Sequence, residues 1–136
     1  MLTGKNALVT GAGKGIGKAI AMELAANGAF VIVNYNGSKA AAEQTVAEIQ
    51  EAGGDAVAYQ CNVADYEACG DMVSELIKTY KHIDILVNNA GITRDGLLMK
   101  MSEDDFDAVI DTNLKGCFNT IRHLSRYFLK QRAGKI

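Results

Sequence analysis

The sequence predicts an α/β fold, a doubly wound parallel sheet in which strands alternate with helices. Two observations carry that expectation. Short apolar runs alternate along the chain with longer stripes of helical period. The short runs are apolar on consecutive positions, as strands covered on both faces require.

Ala7-Leu8-Val9 is the first strand, halted at once by glycines. Ile16, Ile20 and Leu24 then recur four apart on a helix that stops at Asn27-Gly28. Phe30 to Val33 is the second strand; Ser38 caps the helix after it, with Ala42, Val46 and Ile49 on its stripe and Gly53-Gly54 at its end. Ala56 to Tyr59 is the third strand. Cys69, Met72, Val73, Leu76, Ile77 and Tyr80 mark the third helix, and Ile83 to Val87 the fourth strand. A capping-box-like Ser102-Glu103-Asp104-Asp105 opens one long helix striped by Phe106, Val109, Ile110, Leu114, Cys117, Ile121, Leu124 and Phe128. Gly134-Lys135-Ile136 reads as the opening of a fifth strand. With right-handed crossovers the strands run parallel. Residues 1–136 are therefore expected to form a single, incomplete domain, truncated after the fourth strand and the following long helix.

Composition limits the function classes. At 136 residues the chain suits one core, and 49% hydrophobic against 22% charged residues excludes a disordered or fibrous chain. The acidic residues all lie within positions 1–111, whereas 112–136 carry only bases. Cys61, Cys69 and Cys117 lack paired spacing, so no metal site is expected and they read as small core residues in a reducing compartment. The N-terminus lacks a signal-peptide pattern and no apolar run is long enough to span a bilayer. A cytoplasmic protein is expected, with neither membrane nor nucleic acid as partner.

Chemistry concentrates in Thr10-Gly11-Ala12-Gly13-Lys14-Gly15-Ile16-Gly17, between the first strand and the first helix. Glycines there permit positive φ, close backbone approach to a phosphate and tight helix-on-strand packing, while the helix N-terminus supplies free N–H groups. The register is TGxxxGxG rather than strict GxGxxG, since the third glycine of the stricter pattern would fall on Ile16 or Lys18. A turn that merely joins two elements is the alternative. Lys14 opposes the helix dipole by roughly 0.3 to 1 kcal/mol, a sign that a bound anion would reverse; an ordinary exposed lysine is the plain reading. After the second strand comes Asn34-Tyr35-Asn36-Gly37-Ser38, without the acid that would bind a ribose 2′-hydroxyl. Lys14, Asn36 and Ser38 suit a 2′-phosphate instead, which favours NADP(H) over NAD(H).

Asn88-Asn89-Ala90-Gly91 at the end of the fourth strand and Asn113 in the last helix complete a set of three motifs. Together they resemble the signature of the short-chain dehydrogenase/reductase family, whose Rossmann-type fold matches the expectation above. The stretch from Asn88 to Met101 most resembles bacterial 3-oxoacyl-[acyl-carrier-protein] reductases. The resemblance implies that Gly11, Ala12, Gly13, Lys14, Gly15, Ile16 and Gly17 cradle a pyrophosphate. It also implies that Lys14 and Asn36 lie near the 2′-phosphate, that Asn62 and Val63 flank the adenine, and that Asn89, Ala90 and Gly91 back the ribose. Many relatives have Asp in place of Asn62. Asn62 as a turn residue and the Asn-Asn pair as a strand terminator are the structural alternatives. Asn113, placed on the apolar stripe as a buried amide, is implied to distort the helix and serve a proton relay; a core asparagine satisfied by backbone is the alternative.

The implied reaction is NADPH-dependent reduction of a 3-oxoacyl thioester in fatty acid synthesis, through a Ser and a Tyr-xxx-Lys pair beyond the fifth strand. The chain stops before them. Tyr35 and Lys39 have the right spacing but sit beside the expected adenosine ribose. A noncatalytic nucleotide-binding or oligomerising fragment, and a reductase of another substrate such as acetoacetyl-CoA, are the alternatives. The resemblance also implies a homo-oligomer and a basic contact at Arg132 for acyl carrier protein, although Arg126, Lys130 and Arg132 equally complement a helix C-terminus.

Overall fold

In a computed structural model describing all 136 residues, the apolar runs form four strands: β1 (Asn6–Val9), β2 (Phe30–Tyr35), β3 (Asp55–Gln60) and β4 (Ile85–Val87). All pairings are parallel, and the sheet order is β3-β2-β1-β4. Between them lie α1 (Gly15–Ala26), α2 (Lys39–Glu51) and α3 (Tyr66–Tyr80). The doubly wound sheet is thus present. β4 is shorter than its apolar run, because Ile83 is buried ahead of the ladder and Asp84 begins it by donating its N–H to Asn6 O at 2.9 Å. Beyond β4 the chain's last residues start a further pairing. Leu86 N–H donates to Lys135 O at 2.9 Å and Lys135 N–H to Asp84 O at 3.0 Å.

Consecutive apolar positions are buried because each strand has helices on both faces. Ala7, Val9, Val31 and Val33 pack toward α1 and α2, while Leu8, Ile32 and Leu86 pack toward α3. The face that α1 turns inward is not the expected stripe. Gly17, Ala21 and Ala25 are buried, while Ile16 is 76% exposed and Ile20 and Leu24 only flank the core. Small side chains let this helix lie close on the strands, which larger ones would hold away. Ser38 caps α2 as expected, its Oγ accepting from Ala41 N–H at 3.2 Å, and Asp65 caps α3 through Ala68 N–H at 3.0 Å.

The long final helix is three segments. Ser102 Oγ accepts from Asp105 N–H at 3.0 Å to open α4 (Glu103–Val109). A π-helical turn spans Ile110–Lys115, and α5 runs Gly116–Gln131. This turn breaks the apolar stripe, so that Phe106 and Leu114 are 57% and 65% exposed while Leu124 stays buried. The buried face of α5 consists of Gly116, Asn119, Thr120 and Leu124. Its approach to α3 depends on Gly70, where a Cβ would come within 2.9 Å of the His123 ring. Helix α5 ends at Arg132, an exposed residue in the left-handed region with φ 57°.

This assignment of faces separates two leucines of the same stripe. Leu124→Ala, which empties a fully buried site, is expected to lower stability by about 2–5 kcal/mol. Leu114→Ala should change it by less than about 0.5 kcal/mol. Urea midpoints of the two variants measure the difference.

Candidate functional site

The carboxyl ends of β1 and β4 mark the point where strand order reverses, and a cleft opens there. Its volume is about 700 Å³, and its lining includes Gly11, Lys14, Gly15 and Ile16 from the glycine turn, Asn36 after β2, Asn62 and Val63 after β3, and Asn89, Ala90 and Gly91 after β4. A side cavity of about 350 Å³ shares Gly11, Lys14 and Asn36 with it and adds Gly13, Tyr35, Gly37, Ser38 and Ala41. Residues singled out from four separate segments thus meet in one place, whereas Asn113 lines neither space. Ala12 and Gly17 do not line either space, being buried beneath the turn.

Each glycine of the turn meets a different demand. Gly11 and Gly15 have φ near +60°, a left-handed conformation that other residues adopt at a cost. At Gly17 a Cβ would stand 2.4 Å from both Asn89 Nδ2 and Gly11 O. The N–H groups of Gly15, Ile16 and Gly17, first in α1, find no acceptor in the chain, so an anion at this helix end would meet free donors and the positive end of the dipole.

Two polar residues fasten the turn. Thr10, 1% exposed, accepts at Oγ1 from the N–H groups of Asn89 and Ala90, both at 3.0 Å. Asn34, 2% exposed, accepts at Oδ1 from Gly11 N–H at 3.2 Å and donates through Nδ2 to Tyr59 O and Cys61 O. Neither was singled out from the sequence, although Thr10 opens the glycine motif and Asn34 is a polar interruption inside an apolar strand. Either feature is a usable signal, since a buried amide or hydroxyl requires partners.

The asparagines of the cleft have their own bonds. Asn89 Nδ2 donates to Thr10 O at 3.2 Å and Gly11 O at 3.0 Å, so its side chain ties β4 to the turn. Asn62 Oδ1 accepts from Ala64 N–H at 3.0 Å, the turn role considered for it above. Val63 O accepts from Asn119 Nδ2 at 2.8 Å and from the Cys69 thiol at 3.4 Å. The neighbouring Cys61 sulfur and burial push the Cys69 thiol well above the usual thiol range, so it stays a neutral donor. Asn113 is exposed, contrary to the expected buried amide, because the π-helical turn carries it off the core. It is nevertheless satisfied, accepting from Ile92 N–H at 2.8 Å and donating to Ile92 O at 3.0 Å.

No cluster of three or more His, Cys, Asp or Glu side chains could hold a metal, and no helix is long and apolar enough to cross a membrane.

A parallel sheet ordered β3-β2-β1-β4 with a glycine-rich first turn at its switch point defines a Rossmann-type α/β protein. Within that class the chain belongs to the short-chain dehydrogenase family, whose model matches residues 5–136. It is 53% identical over 132 residues to the 3-oxoacyl-[acyl-carrier-protein] reductase FabG of Staphylococcus aureus, covering 97% of this chain and 54% of that protein. The 3-oxoacyl-[acyl-carrier-protein] reductase of Synechocystis is 50% identical over 135 residues, covering 99% of this chain and 55% of its own. The chain therefore spans about half the length of the curated relatives it matches. Among solved structures, a metagenomic short-chain oxidoreductase in complex with NADP superposes with a TM-score of 0.93 at 32% identity, covering 98% of this chain and 60% of the other. A short chain dehydrogenase from Burkholderia cenocepacia, also in complex with NADP, gives 0.87 at 42% identity, covering 92% and 51%.

Thr10→Val keeps the shape of the side chain but leaves the Asn89 and Ala90 N–H groups without their acceptor. A loss of about 1–3 kcal/mol is expected, whereas Thr10→Ser should retain most of the stability. Thermal or urea unfolding of the pair checks this.

Proposed function

We propose that this chain supplies the NADP(H)-binding half of a reductase acting on a 3-oxoacyl thioester carried by acyl carrier protein, with the 3-hydroxyacyl thioester as product. The side cavity carries the cofactor part of the reading. Lys14 is the one charged residue lining it, and no carboxylate is present to repel a 2′-phosphate. The substrate part rests on the likeness to the Staphylococcus and Synechocystis reductases.

The residues present fit the cofactor. The free N–H groups of Gly15, Ile16 and Gly17 would hold the pyrophosphate, at a turn that Gly11, with positive φ, lets pack against Ala90. Lys14, Asn36 and Ser38 would face the 2′-phosphate. Ser38 Oγ is already engaged as the α2 cap, which leaves its hydroxyl hydrogen as the donor. Asn62 and Val63 would border the adenine, and Asn89, Ala90 and Gly91 the ribose beside β4. When bound, the nicotinamide supplies the hydride. Asn113, held by Ile92, would act as a relay residue. Exposed Phe106, Leu114 and Phe118 present an apolar face suited to a homo-oligomer, and exposed Arg132 a cation for the acidic carrier protein.

Titration of the 136-residue protein with NADPH and with NADH tests the cofactor reading. NADPH should bind more tightly, and Lys14→Ala should weaken NADPH roughly tenfold, the worth of about one charge-assisted hydrogen bond, with little effect on NADH. Equal affinity for the two cofactors refutes it. For the substrate, a protein carrying this sequence at the length of its relatives should oxidise NADPH when a 3-oxoacyl thioester is added. Failure with that thioester alongside turnover of other ketones rules the substrate out.

A further inference from the structure

Gln60 is the last residue of β3, the edge strand, and pairs in register with Tyr35 at the end of β2. It lines neither the cleft nor the side cavity. Its Nε2 donates to two acceptors on one neighbour, Asn36 O and Asn36 Oδ1, both at 3.3 Å. These two contacts fix which way the Asn36 amide is turned. A main-chain carbonyl can only accept, so the Gln60 group facing it must be the NH2. That same nitrogen faces the Asn36 side chain, which must then present its oxygen. The Asn36 NH2 is left as the free end of a side chain that lines both spaces.

We propose that Gln60 is a positioning residue that makes Asn36 a hydrogen-bond donor and so sets the preference for a 2′-phosphate over a 2′-hydroxyl. The inference rests on the 2′-phosphate reading of the side cavity given above. A phosphate offers only acceptors and is recognised by donors, here Lys14 and the Asn36 NH2. A ribose hydroxyl, by contrast, is best held by an acceptor, the part a carboxylate plays in NAD-binding relatives of this architecture. Turned the other way, Asn36 would present its oxygen and favour the hydroxyl. Discrimination therefore depends on a residue outside the binding surface.

The test uses two probes that engage only the adenosine half: adenosine 2′,5′-bisphosphate and adenosine 5′-monophosphate, titrated against the 136-residue protein. Gln60 is exposed, so its substitution leaves the core intact. The wild type should bind the bisphosphate more tightly. Gln60→Ala should reduce that ratio about three- to fivefold, and Gln60→Glu, which accepts from the Asn36 NH2 and adds a negative charge, about tenfold or more. Affinity for the monophosphate should stay unchanged in both. In an Asn36→Ala background Gln60→Ala should have no further effect. An unchanged ratio in Gln60→Glu, or equal weakening of both probes, overturns the role of Gln60 while leaving the cavity reading in place. A wild-type protein that does not distinguish the probes overturns both.

Discussion

The position of one hydroxyl governs the rest of the site. Thr10 Oγ1 receives the Asn89 and Ala90 N–H groups and donates to Val87 O at 3.4 Å, closing the gap where β1 and β4 stop pairing through their main chains. Parallel strands normally diverge beyond their last ladder bond, and at a switch point the chains leave in opposite directions. Here the divergence begins only after Thr10. Asn89 answers from the other side by donating to Thr10 O and Gly11 O, and Asn34 holds Gly11 N–H from β2. Three strands thus hold one turn. Gly17 then fits α1 against it with no space for a methyl group.

With the turn fixed, the electrostatics of the cleft follow. Carbonyls of Thr10, Gly11 and Val63 are consumed by side-chain donors from Asn89, Asn119 and Cys69. The N–H groups at the start of α1 are not consumed by anything in the chain. The acceptors are turned inward and the donors outward, which suits an anion. Lys14, extended at the N-cap with φ −157°, adds a cation where the dipole alone would disfavour one. A single lysine there costs the free chain a fraction of a kcal/mol and is compensated on anion binding by a charge-assisted contact roughly twice as strong as a neutral one.

What was legible in the sequence divides by the range of the interactions involved. The glycine turn, the first three strands and the Ser38 and Ser102 caps depend on neighbours a few positions away, and they stand where the pattern put them to within a residue or two, whereas β4 is shorter than its apolar run. For Asn34 and Thr10 the local pattern signals that a buried polar group needs partners, but not which residues, 23 to 80 positions away, supply them. The inner face of α1 was misread for another reason. Hydrophobic periodicity weighs large side chains, whereas close packing on a sheet selects small ones, here Gly17, Ala21 and Ala25. At Ile110 to Lys115 the π-helical turn changed the period itself, so a stripe drawn at constant pitch meets the core along α5, at Ile121, Leu124 and Phe128, but not at Phe106 and Leu114.

Beyond that turn, α5 carries polar as well as apolar residues on its inner face. Its inner side carries Gly116, Asn119, Thr120 and His123 beside the fully buried Leu124, while Phe118 and Leu129 are 55% and 78% exposed among the exposed Arg122, Arg126 and Lys130. The inner polar groups support the cleft. Gly116 lets Val63 come so near that a Cβ there would sit 2.8 Å from Val63 Cγ2, Asn119 grips Val63 O, and Thr120 donates to Asn88 Oδ1 at 2.5 Å. Asn119 Oδ1 remains buried without a partner, a loss of about 1–3 kcal/mol that a leucine would avoid. A leucine would also release Val63 O and the loop that borders the cleft after β3. The shape of the cleft on that side is therefore maintained at some expense to stability.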